Sequence, residues 1–133
     1  MEKKRRADPF QVLEECEQAS ILYAQGMMAL EEGNTEQALQ IFQESVGWEP
    51  HFQTYERMYI CCLRLGREVE AFEALRMACF CNPRCSKTAY NYAILLKRHG
   101  DVTQAKAIAR DIARRDPRYH VREIEHLLCL PEE

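Results

Sequence analysis

Three cysteines, Cys79, Cys81 and Cys85, lie within seven residues near the middle of the chain. Thiolates bind zinc in tetrahedral sites, and a fourth ligand would have to come from elsewhere, for example from His51 or Cys62. The spacing is not the paired CxxC pattern of common zinc sites. The other interpretation is that Cys62 and Cys79 fill small gaps in a core while Cys81 and Cys85 are partly exposed. A thiol-redox or metal-responsive role for this segment is therefore an alternative hypothesis.

The last part of the chain carries other groups that could do chemistry. Glu123 and His126 have the Glu-x-x-His spacing of one half of a di-iron ligand set, but the second half is absent. No phosphate-binding glycine loop, nucleophile elbow or metalloprotease motif is present. We therefore predict a protein that is not an enzyme and needs no cofactor or metal.

A run of arginines near the C-terminal end could contact nucleic acid or an acidic partner. Acidic residues are interleaved with these arginines, and salt bridges along a helix explain the pattern more simply. The whole chain has a formal net charge of −3, which gives no overall attraction for nucleic acid. Nucleic acid is thus not an expected partner. The arginines are Arg110, Arg114, Arg115, Arg118 and Arg122.

The length and composition of the chain limit the classes of protein to which it can belong. The chain has 133 residues, about the size of one domain, and 47% of them are hydrophobic. The basic residues Lys3 to Arg6 are followed by Asp8-Pro9 rather than by an apolar signal segment, and no apolar run has the length of a membrane span. Seven cysteines, an odd number, cannot all pair within the chain. We expect a cytoplasmic protein with free thiols and no membrane partner.

Three markers recur along the chain at intervals of 33 or 34 residues. A glycine at the end of a helix adopts left-handed backbone without a clash, and a proline stops the helix that precedes it. Each interval is therefore predicted to hold two helices joined by a tight turn, with Asn34 and Asp101 as candidate caps of the second helix. The markers are Gly33, Gly66 and Gly100; Ala38, Ala71 and Ala105; and Pro50, Pro83 and Pro117.

These units resemble the tetratricopeptide repeat, and the resemblance covers roughly residues 19 to 117. Gln25, Tyr59 and Ala109 depart from the family pattern. The matching positions are Leu22, Gly26, Ala38, Phe42, Ser45 and Pro50 in the first unit; Tyr55, Met58, Cys62, Ala71, Leu75, Ala78 and Pro83 in the second; and Ala89, Tyr92, Ala93, Leu96, Ala105, Ala109 and Pro117 in the third.

The resemblance implies an all-α fold, a right-handed α-solenoid of three helix-turn-helix repeats over about 19–51, 52–85 and 86–119. We expect a flexible basic N-terminus over 1–8 and a single domain over 9–133. A helix beginning at Pro9 is expected to run into the first repeat as an N-terminal extension. An amphipathic capping helix is expected over about 119–130, where it would cover the last repeat.

The resemblance also implies a function in protein binding. In this family the first helix of each repeat lines a concave groove that holds a peptide segment of a partner. We therefore predict an adaptor, scaffold or chaperone, with a self-assembling module as a further alternative. The predicted groove residues are Tyr23, Met27, Glu56, Arg57, Ile60, Arg64, Lys87, Tyr90, Asn91, Ile94 and Arg98.

Two kinds of relative provide closer parallels. Some bind the C-terminal carboxylate of heat-shock chaperones, but Tyr23 and Met27 stand at the positions of their principal lysine and asparagine. Lys87 matches a basic clamp position, and Asn91 replaces an arginine. The small three-repeat chaperones of type III secretion, which hold apolar segments of exported translocators, resemble this chain better in size, acidity and groove character. The partner class implied is therefore a protein or peptide, with self-association as an alternative and with neither nucleic acid nor a membrane expected.

Overall fold

A computed structural model describes residues 8–132 of the chain. The predicted flexible segment 1–8 lies, except for Asp8, outside the described residues. Within the described part every regular element is an α-helix, so the all-α prediction is confirmed. The helices are α1 (Pro9–Glu31), α2 (Thr35–Trp48), α3 (Phe52–Arg64), α4 (Glu68–Cys81), α5 (Ser86–Arg98), α6 (Val102–Arg115) and α7 (Val121–Leu128).

The turn inside each repeat is made by a left-handed glycine. Gly33, Gly66 and Gly100 have φ values of 84°, 72° and 86°, a backbone region that residues with a Cβ rarely adopt. The Asn34 amide donates to the Ala29 carbonyl at 2.9 Å, and so closes the end of α1. Three consecutive helix pairs therefore follow from three glycines at one spacing.

The predicted helix caps are formed in part. The Asp8 carboxylate accepts a hydrogen bond from the Phe10 amide at 2.9 Å, with Pro9 at the start of α1, as expected. The Asp101 carboxylate accepts from the Gln104 amide at 3.2 Å and caps α6. Asn34 precedes α2, but its side chain makes no capping hydrogen bond. The prediction that Asn34 caps its helix was therefore wrong, whereas the prediction for Asp101 is confirmed.

The capping helix α7 is shorter than the predicted 119–130. His120 has a φ of 38°, the one positive value outside glycine among residues 8–132, so the helix cannot begin before Val121. The Tyr119 amide donates to the Asp116 carbonyl in the preceding turn. Ile124 and Leu127 are buried, as expected of a helix that covers the last repeat.

The first half of the chain packs around Phe42. This first core cluster consists of buried residues from α1 to α4, and Phe42 is fully buried in it. Gly26 of α1 lies against the Phe42 ring so closely that a Cβ there would meet the ring at 2.5 Å. The small residue at this crossing thus sets how near α1 and α2 approach. The buried members are Ala29, Ala38, Leu39, Phe42, Cys61, Cys62 and Ala71.

The second half forms a second core cluster. Its buried residues come from α4 to α7. Tyr59 of α3 is half-buried and packs against both clusters, so it joins the two halves. The members are Leu75, Ala89, Tyr92, Ala93, Leu95, Leu96, Ala105, Ala109, Ile112, Ile124 and Leu127.

Between Asp8 and Glu132 no helix combines the length and the apolar character that crossing a membrane requires.

Candidate peptide-binding groove

The eleven predicted groove residues lie on α1, α3 and α5, the first helix of each pair. We refer to the surface that they form as the groove. Arg64, Lys87 and Arg98 are exposed, and the other eight are half-buried. None of the eleven is fully buried, so each presents part of its side chain to solvent.

One hydrogen bond links α1 to α3 within the groove. The Arg57 Nε donates to the Tyr23 hydroxyl oxygen over 3.4 Å. The Tyr23 ring lies 5.8 Å from the Phe42 ring, at an angle of 50°, and so rests on the first core cluster. Met27, one turn further along α1, packs against the same cluster. The part of the groove formed by α1 is therefore aromatic and apolar, and its side chains are held in place by the first core cluster.

A second hydrogen bond links α3 to α5. The Thr88 hydroxyl donates to Glu56 Oε2 at 2.6 Å, and Thr88 itself is fully buried. The Cys85 sulfur lies 3.2 Å from the same hydroxyl oxygen. Glu56 thus already has an intramolecular partner, which indicates a structural role for its carboxylate beside the predicted peptide contact.

The middle of the groove is formed by Ile60 and its neighbours on α3 and α5. Ile60 is half-buried and, among the described residues, belongs to neither core cluster. Tyr59 lies beside it in sequence; burial raises the pKa of the Tyr59 hydroxyl, and the nearby Arg98 guanidinium opposes that shift. Arg98 therefore lies close to the tyrosine that joins the two halves of the core. Arg98 forms no ion pair within residues 8–132.

A cleft of about 290 Å³ opens between α5 and α7, at the C-terminal end of the groove. The Tyr90 ring forms one wall and is parallel to the His120 ring, at 6.0 Å and 7°. Within residues 8–132 neither Lys97 nor Arg122 forms an ion pair. The cleft therefore combines apolar side chains with two cations that have no ion-pair partner and with one carboxylate, that of Glu123. Its lining residues are Tyr90, Ile94, Lys97, Arg122, Glu123, His126 and Leu127.

The cleft adds residues that the repeat pattern did not identify. Tyr90 and Ile94 were predicted groove residues, whereas Arg122, His126 and Leu127 come from α7, outside the repeats. The amphipathic pattern of α7 predicted a helix over the last repeat. It did not indicate that one edge of this helix would extend the groove.

The charge of the groove differs from that of the whole chain. Of the eleven groove residues four are basic (Arg57, Arg64, Lys87 and Arg98) and one is acidic, although the chain has a net charge of −3. The single acidic residue, Glu56, is bound to Thr88. The groove is thus a locally basic surface on an acidic protein.

The cysteine segment does not assemble a metal site. Cys62 is buried in the first core cluster, Cys79 is half-buried and Cys81 is exposed. His51 is exposed at the start of α3, where its Nδ1 accepts from the Gln53 amide at 3.2 Å. In the part of the chain that the structure describes, no three His, Cys, Asp or Glu side chains are grouped so that they could hold a metal ion.

Burial also changes the acidity of the thiols. It raises the pKa of the Cys62 thiol to about 11 and that of the Cys79 thiol to about 12, where the nearby Cys85 and Glu56 add to the effect. These two cysteines are protonated and unreactive near neutral pH. Cys61, next to Cys62, is fully buried, and burial raises the pKa of its thiol too.

Three of the five arginines near the C-terminal end form ion pairs, and two of these pairs run along α6 as the sequence predicted. Arg114 and Arg115 both pair with Asp111, and the Arg115 Nε lies 2.7 Å from its Oδ2. These hydrogen bonds lower the pKa of the Asp111 carboxyl. Arg110 lies 3.8 Å from Glu132. Much of the basic cluster is therefore paired within the protein.

Comparisons with known proteins identify the fold. The sequence matches no protein-family model, and no curated protein matches it. Among solved structures, the type III secretion chaperone SycD of Yersinia enterocolitica, in complex with a peptide of the translocator YopD, superposes with a TM-score of 0.64 at 13% identity. That match covers 82% of this chain and 88% of SycD.

Two further TPR domains are also similar. The second TPR domain of human RPAP3, in complex with the HSP70 peptide SGPTIEEVD, has a TM-score of 0.66 at 14% identity and covers 90% of this chain and 99% of that domain. The first TPR of Spaghetti (RPAP3), bound to the HSP90 peptide SRMEEVD, has a TM-score of 0.66 at 15% identity, with coverage of 86% and 95%. At these identities the likeness concerns the fold, and the chain has the tetratricopeptide-repeat fold.

Proposed function

We propose that this protein is a non-enzymatic interaction module that holds a peptide segment of another protein in the groove formed by α1, α3 and α5. The observation that carries the proposal is the groove itself, a surface of half-buried apolar and aromatic side chains bordered by cations without partners. Rigid aromatic and apolar anchors of this kind supply most of the affinity at peptide-binding surfaces. The adaptor or chaperone role and the cytoplasmic location predicted from the sequence are part of this proposal.

The groove favours a peptide that carries both apolar and acidic residues. Tyr23, Met27 and Ile60 offer apolar contacts along α1 and α3. At the C-terminal end, Lys97 and Arg122 line the cleft together with apolar side chains, and Glu123 is the one carboxylate among the lining residues. A ligand that places an apolar side chain against these apolar side chains and a carboxylate between the two cations would satisfy both features.

The similar structures support this assignment at the level of the fold. SycD is in complex with a peptide of YopD, and the two RPAP3 domains are bound to peptides that end in Glu-Glu-Val-Asp. In the present chain Tyr23 and Met27 occupy the positions of the lysine and asparagine that would hold a terminal carboxylate on the first helix. We therefore place the acidic contact at the other end of the groove, beside α7.

The test is a selection from a random peptide library displayed on phage, with the full chain as bait. We expect enriched peptides to combine acidic residues with aromatic or aliphatic ones. The same selection is repeated with a variant that carries Lys97→Glu and Arg122→Glu as bait. The acidic preference should then be lost, because the charge of both cations in the cleft is reversed. A library that yields no enriched peptide, or the same acidic peptides with the variant, would contradict the proposal.

No specific observation favours the thiol or metal hypothesis over this one. Cys62 and Cys79, whose pKa values burial raises to about 11 and about 12, lack the acidity that a reactive thiol needs. The same phage selection also tests self-assembly through the groove. If another copy of the chain fills the groove of the bait, no peptide should be enriched.

A further inference from the structure

A polar pocket adjoins the groove on the side of the first repeat. It has a volume of about 200 Å³ and opens between α1, the end of α2 and the start of α3. Tyr23, one of the predicted groove residues, forms part of its wall. We call it the α1–α3 pocket. Seven of its eight lining residues have polar side chains; the eight are Ala19, Ser20, Tyr23, Ser45, Glu49, His51, Gln53 and Thr54.

Thr54 has a hydroxyl that faces this pocket without a partner. The residue is only 3% exposed, and within residues 8–132 its hydroxyl forms no hydrogen bond. Every fully buried side-chain nitrogen or oxygen atom in the described chain does have a hydrogen-bond partner. The Thr54 oxygen is therefore reached by solvent, and the pocket that it lines provides the access.

The contact between the second and third repeats shows what this hydroxyl lacks. At the 34-residue spacing of the repeats, Thr54 corresponds to Thr88, which donates to the Glu56 carboxylate at 2.6 Å. At the 33-residue spacing, Tyr23 corresponds to Glu56. Tyr23 has no carboxylate, and its hydroxyl oxygen accepts from Arg57 instead. The first two repeats therefore leave a polar space open where the next two form a hydrogen bond.

Glu49 gives the α1–α3 pocket a negative charge. Its side chain is half-buried, and its carboxylate forms no ion pair within residues 8–132. In the same part of the chain it accepts one hydrogen bond, from the Cys16 thiol, whose Sγ lies 2.6 Å from Oε2. A thiol is a weak donor, and a carboxylate can accept several further hydrogen bonds. No lysine or arginine lines the pocket, so this charge is not compensated there.

We propose that the α1–α3 pocket binds the ammonium group of a lysine side chain in the peptide segment held by the groove. An ammonium has three donors, and Glu49, Thr54 and Ser20 provide three acceptor groups in one cavity. Its charge complements that of Glu49, and a hydrogen bond between two charged groups is stronger than a neutral one. The source of the side chain rests on the proposed function, whereas the pocket itself can be tested without a peptide.

The proposal assigns opposite charges to the two ends of the ligand. The α1–α3 pocket lies beside the first two repeats, and the cleft with Lys97 and Arg122 lies between α5 and α7. A bound segment should therefore carry a lysine at the end near the first repeat and an acidic residue at the end near α7, with apolar residues between them.

Two small probes test the pocket. Nα-acetyl-lysine amide carries the ammonium group, and Nα-acetyl-norleucine amide lacks it but keeps an apolar chain. Each is titrated into the isotope-labelled full chain to about 50 mM, because a contact of this size should have a dissociation constant of roughly 1–10 mM. Backbone amide shifts are recorded by NMR. The lysine probe should shift the amides of Gln53 and Thr54, and the norleucine probe should bind at least about tenfold more weakly.

Matched variants assign the binding to the pocket. Glu49→Gln keeps the size of the side chain and removes its charge, so it should weaken binding of the lysine probe at least about tenfold. Glu44→Gln removes the same charge from an exposed position of α2 outside the pocket and should bind like the wild type. Thr54→Val should weaken binding at least about threefold. It should leave the midpoint of urea unfolding unchanged, because the hydroxyl has no partner to lose.

The chain's own basic residues at 3–6 are the other candidate occupant. A variant with serine at these four positions should bind the lysine probe like the wild type. Much tighter binding would show that these residues occupy the pocket and would overturn the proposal. The proposal is also overturned if the lysine probe does not shift Gln53 and Thr54, if the norleucine probe binds equally well, or if Glu49→Gln binds no more weakly than Glu44→Gln.

The phage selection separates this proposal from the proposed function. Peptides enriched on the wild type should contain a lysine, and this preference should be lost with Glu49→Gln as bait while the acidic preference remains. Acidic and apolar peptides enriched without lysine would overturn the lysine site and leave the proposed function intact. Binding of the lysine probe in the pocket without any enriched peptide would support the ammonium site and contradict the proposed function.

Discussion

The carboxylate of Glu56 on α3 accepts a hydrogen bond of 2.6 Å from the fully buried hydroxyl of Thr88 on α5. These two helices form most of the basic part of the groove, and this bond connects them directly beneath it. A charged acceptor that is half-buried needs such a donor, because leaving it unpaired costs free energy. The pair therefore holds the second and third repeats in register as well as orienting Glu56.

Substitutions at Thr88 test this link. Thr88→Val keeps the shape of the side chain but removes the donor, so we expect the free energy of unfolding to fall by about 1–3 kcal/mol. Thr88→Ser keeps the hydroxyl and should recover most of that loss, apart from the cost of the missing methyl group. Urea denaturation followed by far-UV circular dichroism measures both. Equal losses for the two variants would show that the methyl group, not the hydrogen bond, matters.

The close contact between Gly26 and Phe42 predicts a second effect. An added Cβ at Gly26 would lie 2.5 to 2.9 Å from three ring atoms of Phe42, which is fully buried and has little room to move. Gly26→Ala should therefore destabilise the protein by about 1–3 kcal/mol. Gly47 is also helical, but nothing lies within 4 Å of an added Cβ there. Gly47→Ala should instead raise the stability by about 0.5–1 kcal/mol.

The matched glycine pair makes this result easy to interpret. Both substitutions remove the same backbone freedom from the unfolded chain, so only their native surroundings differ. Thermal or urea unfolding gives the sign of each change. If Gly26→Ala stabilised the protein as Gly47→Ala is expected to do, the packing of α1 on α2 described above would be wrong.

The buried thiols predict how stability depends on alkaline pH. The pKa of Cys79 is about 12 in the folded state and 9.0 as its ordinary value, so the native protein holds this proton more tightly than the unfolded chain does. Its contribution to stability is therefore complete below pH of about 9 and is lost as the pH rises toward 12. Cys79→Ala should make the decline of stability over this range shallower, as measured by urea unfolding at several pH values.

Thiol labelling tests which cysteines are accessible and reactive in the native protein. Cys81 and Cys129 are exposed and should react with iodoacetamide in the native protein, whereas Cys61, Cys62 and Cys79 should react only after unfolding. Mass spectrometry of the labelled chain distinguishes the sites. Rapid labelling of Cys79 at neutral pH would contradict its assignment as a protonated, sheltered thiol and would reopen the redox hypothesis for this segment.

The elements of the fold follow closely from the sequence because the signals are local. Glycine at 33, 66 and 100 predicts a left-handed helix end from its own backbone freedom, and all three have positive φ. The start of α7 escaped prediction because it depends on His120, a residue type that seldom adopts this conformation. Asn34 is suited to capping, yet its side chain does not do so.

The site was less predictable because its details depend on contacts between helices. The repeat register placed the eleven groove residues on α1, α3 and α5. It could not show that Glu56 is bound by Thr88, since that depends on the distance between two helices far apart in sequence. Nor could it show that α7 adds Arg122 to the end of the groove, because α7 lies outside the periodic pattern.

The measurement that tests the central claim most directly is the affinity of one library-selected peptide for the wild type and for matched charge variants, by isothermal titration calorimetry. Ile60→Glu places a carboxylate in the middle of the groove and should weaken binding at least about tenfold. Val69→Glu adds the same charge on α4, where the side chain is 82% exposed, and should bind like the wild type.

Far-UV circular dichroism must first show that both variants keep their helices. Loss of binding with Ile60→Glu alone is the result that we predict. Equal affinity of both variants would contradict the account, since it would place the peptide on a surface other than the one formed by α1, α3 and α5.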